Sequence, residues 1–442
     1  MKVVLLAAGR SFRMKPIKDK NFLEFLGKPL IEHQLDTLHK AGFGDFVIVC
    51  GGHNLEQVEE FSYKCPYNIK CVEQKDLDAG MAGAVLAAKD HIEDNEPILV
   101  VSSNDVVEVG AFKLVNEHSQ EQEGIDGFMV AKKVDSYFPG GYVAAGDDHI
   151  LLKIVEKPGE GNEPSDLVNL VIHLWKNPME LCAFLEEVES ENDDKYEVAI
   201  DELIKNDRKI KVLEYKGRWQ PIKYPWHIFG VWKMLFDQAD KRISKTAEIS
   251  KKATVKGDVI IEDGVKIFEN AVVNGPCYIG KNAVIANNAL VRDSHISADC
   301  VVGYSTEIAR SYLSPQVWTH SNYIGDSVIG PNNSFGAGCV TGNLRLDEKN
   351  ISVNIKDEKV DCGKNKFGLV TGENLRAGVN ISFMPGVKVG NDCFIGAGIF
   401  LNEDVEDEKF VYGKWQLETK DNTFRVDADS RKEMQDKLKG ND

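Results

Sequence analysis

The chain has 442 residues, a net charge of −17, 43% hydrophobic and 28% charged residues. That is the composition of a globular protein long enough for two or three domains, and its acidic balance argues against nucleic-acid binding. Apolar runs are strand-sized, too short for a membrane span or a secretory leader, and nine scattered cysteines lack CxxC or zinc spacing, which favours reduced thiols and a cytoplasmic setting.

The first predicted element is a strand, Val3–Ala8, that breaks at Gly9 into a basic loop. Residues 1–20 carry six basic side chains (Lys2, Arg10, Arg13, Lys15, Lys18, Lys20) against one acid, Asp19, counter to the global charge. Backbone N–H groups approach a ligand closely where there is no side chain, and Arg and Lys neutralise oxygens, so this turn suits a polyphosphate. Leu6-Ala7-Ala8-Gly9, Arg13-Met14, Lys20 and Gly27-Lys28-Pro29-Leu30-Ile31 together resemble the nucleotide-sugar pyrophosphorylases, the sugar-1-phosphate nucleotidylyltransferases. An ordinary Rossmann phosphate loop is disfavoured by the absence of GxGxxG spacing.

Apolar runs recur at Val47–Cys50, Ile98–Val101, Gly127–Val130 and Leu151–Val155, with helical patterns between them at Leu30–Ala41 and Ala82–His91. Alternation of this kind predicts a mostly parallel sheet flanked by helices, with ligands at the C-terminal strand edge. The expected domain is a Rossmann-like α/β nucleotidyltransferase domain over residues 1–237.

The resemblance implies attack of a sugar 1-phosphate oxygen on the α-phosphorus of a nucleoside triphosphate, UTP favoured, with Mg²⁺ and release of pyrophosphate. It implies that Ala8, Gly9, Arg13 and Lys20 hold the triphosphate. Gln74 would read the base, with Gly80 and Gly83 letting the backbone approach, and Asp105 would bind the metal. Gly141 and Tyr142 match a sugar-binding turn, Glu156-Lys157-Pro158 match the EKP motif, and Asn169 fits a further sugar contact, although the usual Gly two residues on is Val171. One departure concerns the metal. The family completes its site with an Asp or Asn after a Trp, and aligning Trp219 places Pro221 there, whose side chain cannot ligate. Another residue supplies the ligand, or Asp105 and the phosphates hold Mg²⁺ with water, or activity is weak. His227 nearby reads as a packed or exposed histidine and not as a metal ligand.

From about residue 245 the pattern changes. Large apolar residues fall six apart at Ile249, Val255, Ile261, Ile267, Val273, Ile279, Ile285 and Val291, with a second row at Ala253, Val259, Val265, Ala271, Cys277, Ala283 and Ala289. This is the hexapeptide repeat of a parallel β-helix, the second row being the small residues that let the chain turn. It resembles the left-handed β-helix transferases, and the expected domain spans 245–415. The repeat slips near Ser294 and resumes at Ile296 and Val302, then recurs at Phe383, Val389, Ile395 and Leu401. Cys277, Cys300 and Cys393 fall at inward positions and read as core filler.

A charged insertion interrupts the repeat at residues 341–368, and long solenoid loops often build sites. With HxNY at His320–Tyr323, GNLR at Gly342–Arg345 and MPGVKVG at Met384–Gly390, this half resembles archaeal-type bifunctional enzymes that add an amino-sugar-phosphate N-acetyltransferase to the first activity. The resemblance implies His320 as base for attack of a sugar amine on acetyl-CoA, with Tyr323, Asn343 and Lys349 at acceptor or oxyanion positions. Ser352 stands where a second Lys is common. It also implies a homotrimer whose neighbouring subunit completes the site, with Arg376 and Lys388 among the candidates. The polar tail, 416–442, carries one predicted helix, Asp427–Lys439. Two other readings compete: a nucleotidyltransferase with the β-helix as trimer platform, and a non-catalytic nucleotide-sugar sensor.

Overall fold

A computed structural model describes residues 1–120, 124–190, 192–414 and 416–440. Two compact units form, Met1–Val411 and Tyr412–Asp442.

The first unit begins with strand β1 (Lys2–Leu6), helix α1 (Leu30–Lys40), β2 (Asp45–Gly51), α2 (Leu55–Lys64), β3 (Asn68–Gln74), α3 (Gly80–Ala87) and β4 (Ile98–Ser102). Strands β3, β2, β1 and β4 lie side by side in that order, all parallel. The central pair reads as unbroken apolar sequence because helices cover both faces: Val3, Leu5, Phe46 and Ile48 pack into one layer of core, Val4, Val47 and Val49 into the other. A short strand β5 (Asp105–Val107) follows, then α4 (Val109–His118), β6 (Gly127–Lys133), β7 (Gly141–Ala145), β8 (Leu151–Glu156), β9 (Leu167–Trp175), α5 (Pro178–Glu187), α6 (Lys195–Lys205), β10 (Ile210–Glu214), β11 (Trp219–Pro221) and α7 (Ile228–Gln238). Strand β9 runs antiparallel to β4 and carries β7 and β6, and β10 is parallel to β6. The predicted helix at Ala82–His91 is α3 followed by a 3₁₀ turn at Lys89–His91.

After α7 the chain becomes a solenoid of short parallel strands. One ladder stacks Glu248, Lys266, Val284, Val301, Trp318, Ser334, Arg376, Phe394 and Phe410 in successive coils. The first rungs are three hexads apart. The slip near Ser294 has a local cause: the strand Leu290–Ile296 is paired with Val272–Ile279 through a register shift between Asn274 and Cys277, so one corner is a residue shorter. The interior is filled by Ile261, Val273, Ile279, Ile285 and their equivalents, with Ala271, Ala283, Cys277, Cys300 and Cys393 fully buried among them. The corners themselves are turned by the preceding residue. Asn270, Asn282 and Asn288 have φ of 60°, 59° and 59°, a left-handed conformation that Asn tolerates better than most side chains.

The insertion forms a hairpin, Ser352–Ile355 with Glu358–Asp361. Its apolar side, with Ile351, Cys362 and Phe367, joins Met14, Ile17, Phe25, Trp226 and Ile228 of the α/β portion in one hydrophobic cluster, together with Tyr278 and Tyr312 of the solenoid. The second unit contains helix α8 (Ala428–Leu438), whose N-cap Asp427 accepts from the Asp429 N–H. No helix among the described residues is long and apolar enough to cross a membrane.

Candidate active site

Strand β1 delivers Ala8 and Gly9 to the C-terminal edge of the sheet. Nothing lies within 4 Å of a Cβ built on Gly9, so the turn is open to a ligand. Arg13, in the 3₁₀ turn Phe12–Met14, places its guanidinium 5.7 Å from the Tyr224 ring centroid. Lys20 is buried and its ammonium is hydrogen-bonded to the Asn104 side-chain carbonyl. Burial brings its pKa down to about 8, with Arg13 adding to the fall and Asp19 and Asp105 opposing it.

Asp105 opens β5. Its Oδ1 accepts from the Trp219 indole N–H at 2.7 Å, which leaves Oδ2 for a ligand. Burial holds the carboxyl above the usual range, opposed by Lys223, by that hydrogen bond and by Lys20. The antiparallel register of β5 and β11 sets Pro221 directly across from Asp105. The position where the sequence led to the expectation of a second ligand is therefore a carbon surface. Two residues on, the Lys223 ammonium donates to the Pro139 carbonyl at 3.2 Å and lies 4.2 Å from the Phe138 ring centroid. Burial lowers its pKa and Asp105 opposes the fall. His227 is packed and neutral: its Nδ1 accepts from the Lys223 N–H at 3.2 Å and burial takes its pKa to about 4.

Gln74 ends β3 and is buried. Its amide N–H groups go to the carbonyls of Asp76 at 2.8 Å and Gly80 at 2.9 Å, so it braces the loop that leads into α3. Gly80 has φ of +56°, and a Cβ at Gly83 would approach the Gln74 amide nitrogen to 2.9 Å.

The residues expected to hold the sugar converge. A Cβ at Gly141 would meet Glu156 Oε2 at 3.0 Å and the Asn169 Cβ at 3.5 Å. Glu156 pairs with Lys157 at 2.8 Å. Asn169 Oδ1 accepts from His173 Nε2 at 2.8 Å, His173 Nδ1 lies 3.1 Å from the Tyr196 hydroxyl, and that hydroxyl accepts from Trp175 Nε1 at 3.0 Å. Behind Glu156 sits Glu197, whose buried carboxyl is pushed up to about 8, with the Glu156 charge adding to the effect. Lys223, His173 and Glu197 carry no motif. The sequence signal for Lys223 was its place two residues beyond Pro221.

In the solenoid, Tyr323 and Asn343 meet across adjacent coils: the Asn343 amide donates to the Tyr323 hydroxyl at 3.2 Å and to Asp326. Asp326 is clamped by Arg310 at 2.7 and 2.6 Å. His320 and Lys349 are exposed, and among the described residues neither side chain is hydrogen-bonded or ion-paired to that cluster. His320 follows Trp318–Thr319 at a corner, and Lys349 lies in the loop before the hairpin, its N–H on Asp347 at 3.3 Å. Arg376 bonds to Asn332, and Lys388 pairs with Asp404 at 3.4 Å.

Residues 2–242 match the Nucleotidyl transferase family and residues 258–293 the Bacterial transferase hexapeptide (six repeats) family. The chain is 30% identical over 425 residues to the Bifunctional protein GlmU of Methanocaldococcus jannaschii, covering 94% of this chain and 98% of that one. It is 32% identical over 412 residues to the Bifunctional sugar-1-phosphate nucleotidylyltransferase/acetyltransferase of Sulfurisphaera tokodaii, covering 92% and 98%. A solved UDP-glucose pyrophosphorylase complexed with UDP-glucose covers 54% of this chain and 99% of its own, at 19% identity and a TM-score of 0.46. By the match over more than half its length, and by relatives spanning nearly all of it, this chain belongs to the nucleotidyl transferase family, in the branch that carries a C-terminal hexapeptide-repeat β-helix.

Proposed function

We propose that residues 1–237 form a sugar-1-phosphate nucleotidylyltransferase domain. It joins a sugar 1-phosphate to a nucleoside triphosphate, most favourably UTP with N-acetylglucosamine 1-phosphate, and releases pyrophosphate. The observation that carries this is electrostatic. Lys20, Lys223, Arg13 and Lys157 lie close enough to influence one another's charge, with Asp19, Asp105, Glu156 and Asp193 beside them. Arg13 disfavours the charge on each of the three lysines, and a bound phosphate relieves that repulsion. The sugar phosphate oxygen is already an anionic nucleophile, so no strong base is needed. Arg13 and Lys20 bind the triphosphate and stabilise the charge that grows on the bridging oxygen to the β-phosphate as the α-phosphorus–oxygen bond breaks. Glu156 and Asn169 orient the sugar. With both Gln74 N–H groups used within the loop, Oε1 remains as an acceptor, which suits the N3–H of uracil or thymine.

The metal follows from the same donor set. One carboxylate, faced by a proline and flanked by ammonium groups, fits a Mg²⁺ already held by the triphosphate and not a self-standing site. Asp105 Oδ2 would hold it there, and the ion would neutralise phosphate charge. Purified protein with Mg²⁺, UTP and N-acetylglucosamine 1-phosphate should release pyrophosphate, and Asp105→Ala should abolish release. No release with UTP, dTTP or GTP across several sugar phosphates would overturn the reading.

For the second half, residues 245–415, the Tyr323–Asn343–Asp326 cluster supports acetyl transfer from acetyl-CoA to an amino-sugar 1-phosphate. His320 would serve as the base, with Lys349 near the acceptor phosphate. The outward ladder that carries Trp318, Phe394 and Phe410, exposed to 53%, 54% and 62%, supports burial against further copies in a homotrimer. His320 lies one residue beyond that ladder, where a neighbouring subunit would meet it. Free CoA thiol formed from acetyl-CoA and glucosamine 1-phosphate, and lost in His320→Ala, tests this. Its absence would leave the β-helix as a platform. A cytoplasmic location completes the reading.

A further inference from the structure

The hairpin sent back by the solenoid ends beside the first domain's signature loop. Its two turn residues, Lys356 and Asp357, have φ of 49° and 67°. A two-residue turn of this kind favours Asn-Gly or Asp-Gly, so a lysine stands at a backbone position that disfavours it. The hairpin is not loose. Val353 and Ile355 are buried in the same cluster as Met14, Ile17 and Trp226, which fixes where the tip points.

At the tip, the Lys356 ammonium lies 5.5 Å from the Phe12 ring centroid. Lys15 lies 5.6 Å and the Arg10 guanidinium 5.8 Å from the same ring. Phe12 sits between Gly9 and Arg13 in the loop already assigned to the triphosphate. Arg10 is paired with Asp78 at 3.3 Å. Lys15 and Lys356 have no carboxylate within ion-pair distance among the described residues. Both border a cavity of about 1460 Å³ between the loop and the solenoid. On its solenoid side Asp404 pairs with Lys388 at 3.4 Å, Glu406 with Lys409 at 3.7 Å, and Asp407 accepts from the Asn391 N–H at 2.7 Å, while Asp357 borders the cavity next to Lys356 in the turn. The Phe12 face holds cations through its quadrupole, but of the three that converge on it Arg10 alone is ion-paired, so Lys15 and Lys356 lack the partner that would lower their mutual repulsion.

We propose that Lys356, supplied by the β-helix portion of the chain, belongs to the polyphosphate cradle of the nucleotidyl site and holds the terminal phosphates of the triphosphate and then the departing pyrophosphate. This rests on the nucleotidyltransferase reading and adds that the second half takes a direct part in the first half's substrate binding. The test uses the full-length chain. Lys356→Ala should raise KM for UTP roughly tenfold, as expected for one lost charge-assisted contact, and leave kcat within about twofold. Pyrophosphate affinity measured by titration calorimetry should fall by a similar factor. Lys356→Arg should restore both. Lys359→Ala, exposed on the same hairpin and outside the cavity lining, should change neither. Wild-type KM and pyrophosphate affinity in Lys356→Ala would overturn the proposal. Calorimetry also separates the two readings: if the parent protein binds UTP yet turns over no sugar phosphate, the enzymatic reading fails, while an unweakened UTP affinity in Lys356→Ala refutes the role of Lys356 alone.

Discussion

Pro221 and Lys223 set the character of the proposed metal position. The β5–β11 register places Pro221 across from Asp105, where the resemblance led to the expectation of a second ligand. The cation two residues later fills part of the charge requirement, because a buried ammonium is worth more in a dry pocket than at the surface. Lys223→Met should lower kcat/KM for nucleotidyl transfer by about 10²-fold, the usual cost of removing one preorganised charge donor, with little change in thermal midpoint. Manganese EPR should find almost no ion bound to the protein alone and clear binding once UTP is present. Pro221→Asp should raise the first signal. In the proposed sugar pocket, Asn169 is held by an indirect group. His173 donates from Nε2 to Asn169, which leaves the Asn169 amide N–H groups to face the ligand. His173→Phe should raise KM for sugar 1-phosphate and leave KM for UTP unchanged, a split that initial-rate kinetics resolves.

Among the elements, the stack Tyr278–His295–Tyr312 decides how the solenoid meets the sheet. These rings come from three successive coils, with centroids 4.6 and 4.9 Å apart. His295 Nε2 accepts from the Leu26 N–H at 3.0 Å, and the Tyr312 hydroxyl donates to the Glu24 carbonyl at 2.7 Å. Burial takes the His295 pKa down to about 3, so the ring is neutral when folded and protonates only when the protein unfolds. His173 behaves alike, also near 3. A group depressed in the folded state costs stability as pH falls below its ordinary value of about 6.5. The thermal midpoint should therefore fall between pH 6.5 and pH 4. His295→Phe keeps the stack but orphans the Leu26 N–H, at about 1–3 kcal/mol near pH 7, and its midpoint should fall less steeply with acid than the parent's. The sequence showed the helices α1 and α3 and the solenoid strands because their periodicities are local. It did not show that the insertion at 341–368 packs on the α/β portion, since Ile351, Val353 and Ile355 alternate like any half-buried hairpin and do not name their partner.

At the scale of the whole molecule, the exposed ladder of Trp318, Phe394 and Phe410 is the surface to test. If the proposed homotrimer forms, light scattering of the parent should give three times the single-chain mass, and Phe394→Glu with Phe410→Glu should bring it towards a single chain and remove any CoA-thiol release, while pyrophosphate release persists. The sequence by itself determined the two architectures, and it named the Gly9 loop, Gln74, Asp105, Glu156 and Asn169 as candidates for the proposed site. Each of these is written in short-range patterns: strand alternation, hexads, and motifs within a few residues. Only the tertiary structure decided that Pro221 faces Asp105, that Lys223 stands in the same pocket, and that Lys356 reaches Phe12 from more than three hundred residues away. Those relations depend on which surfaces bury one another, and burial is a property of the folded chain that no local spacing encodes.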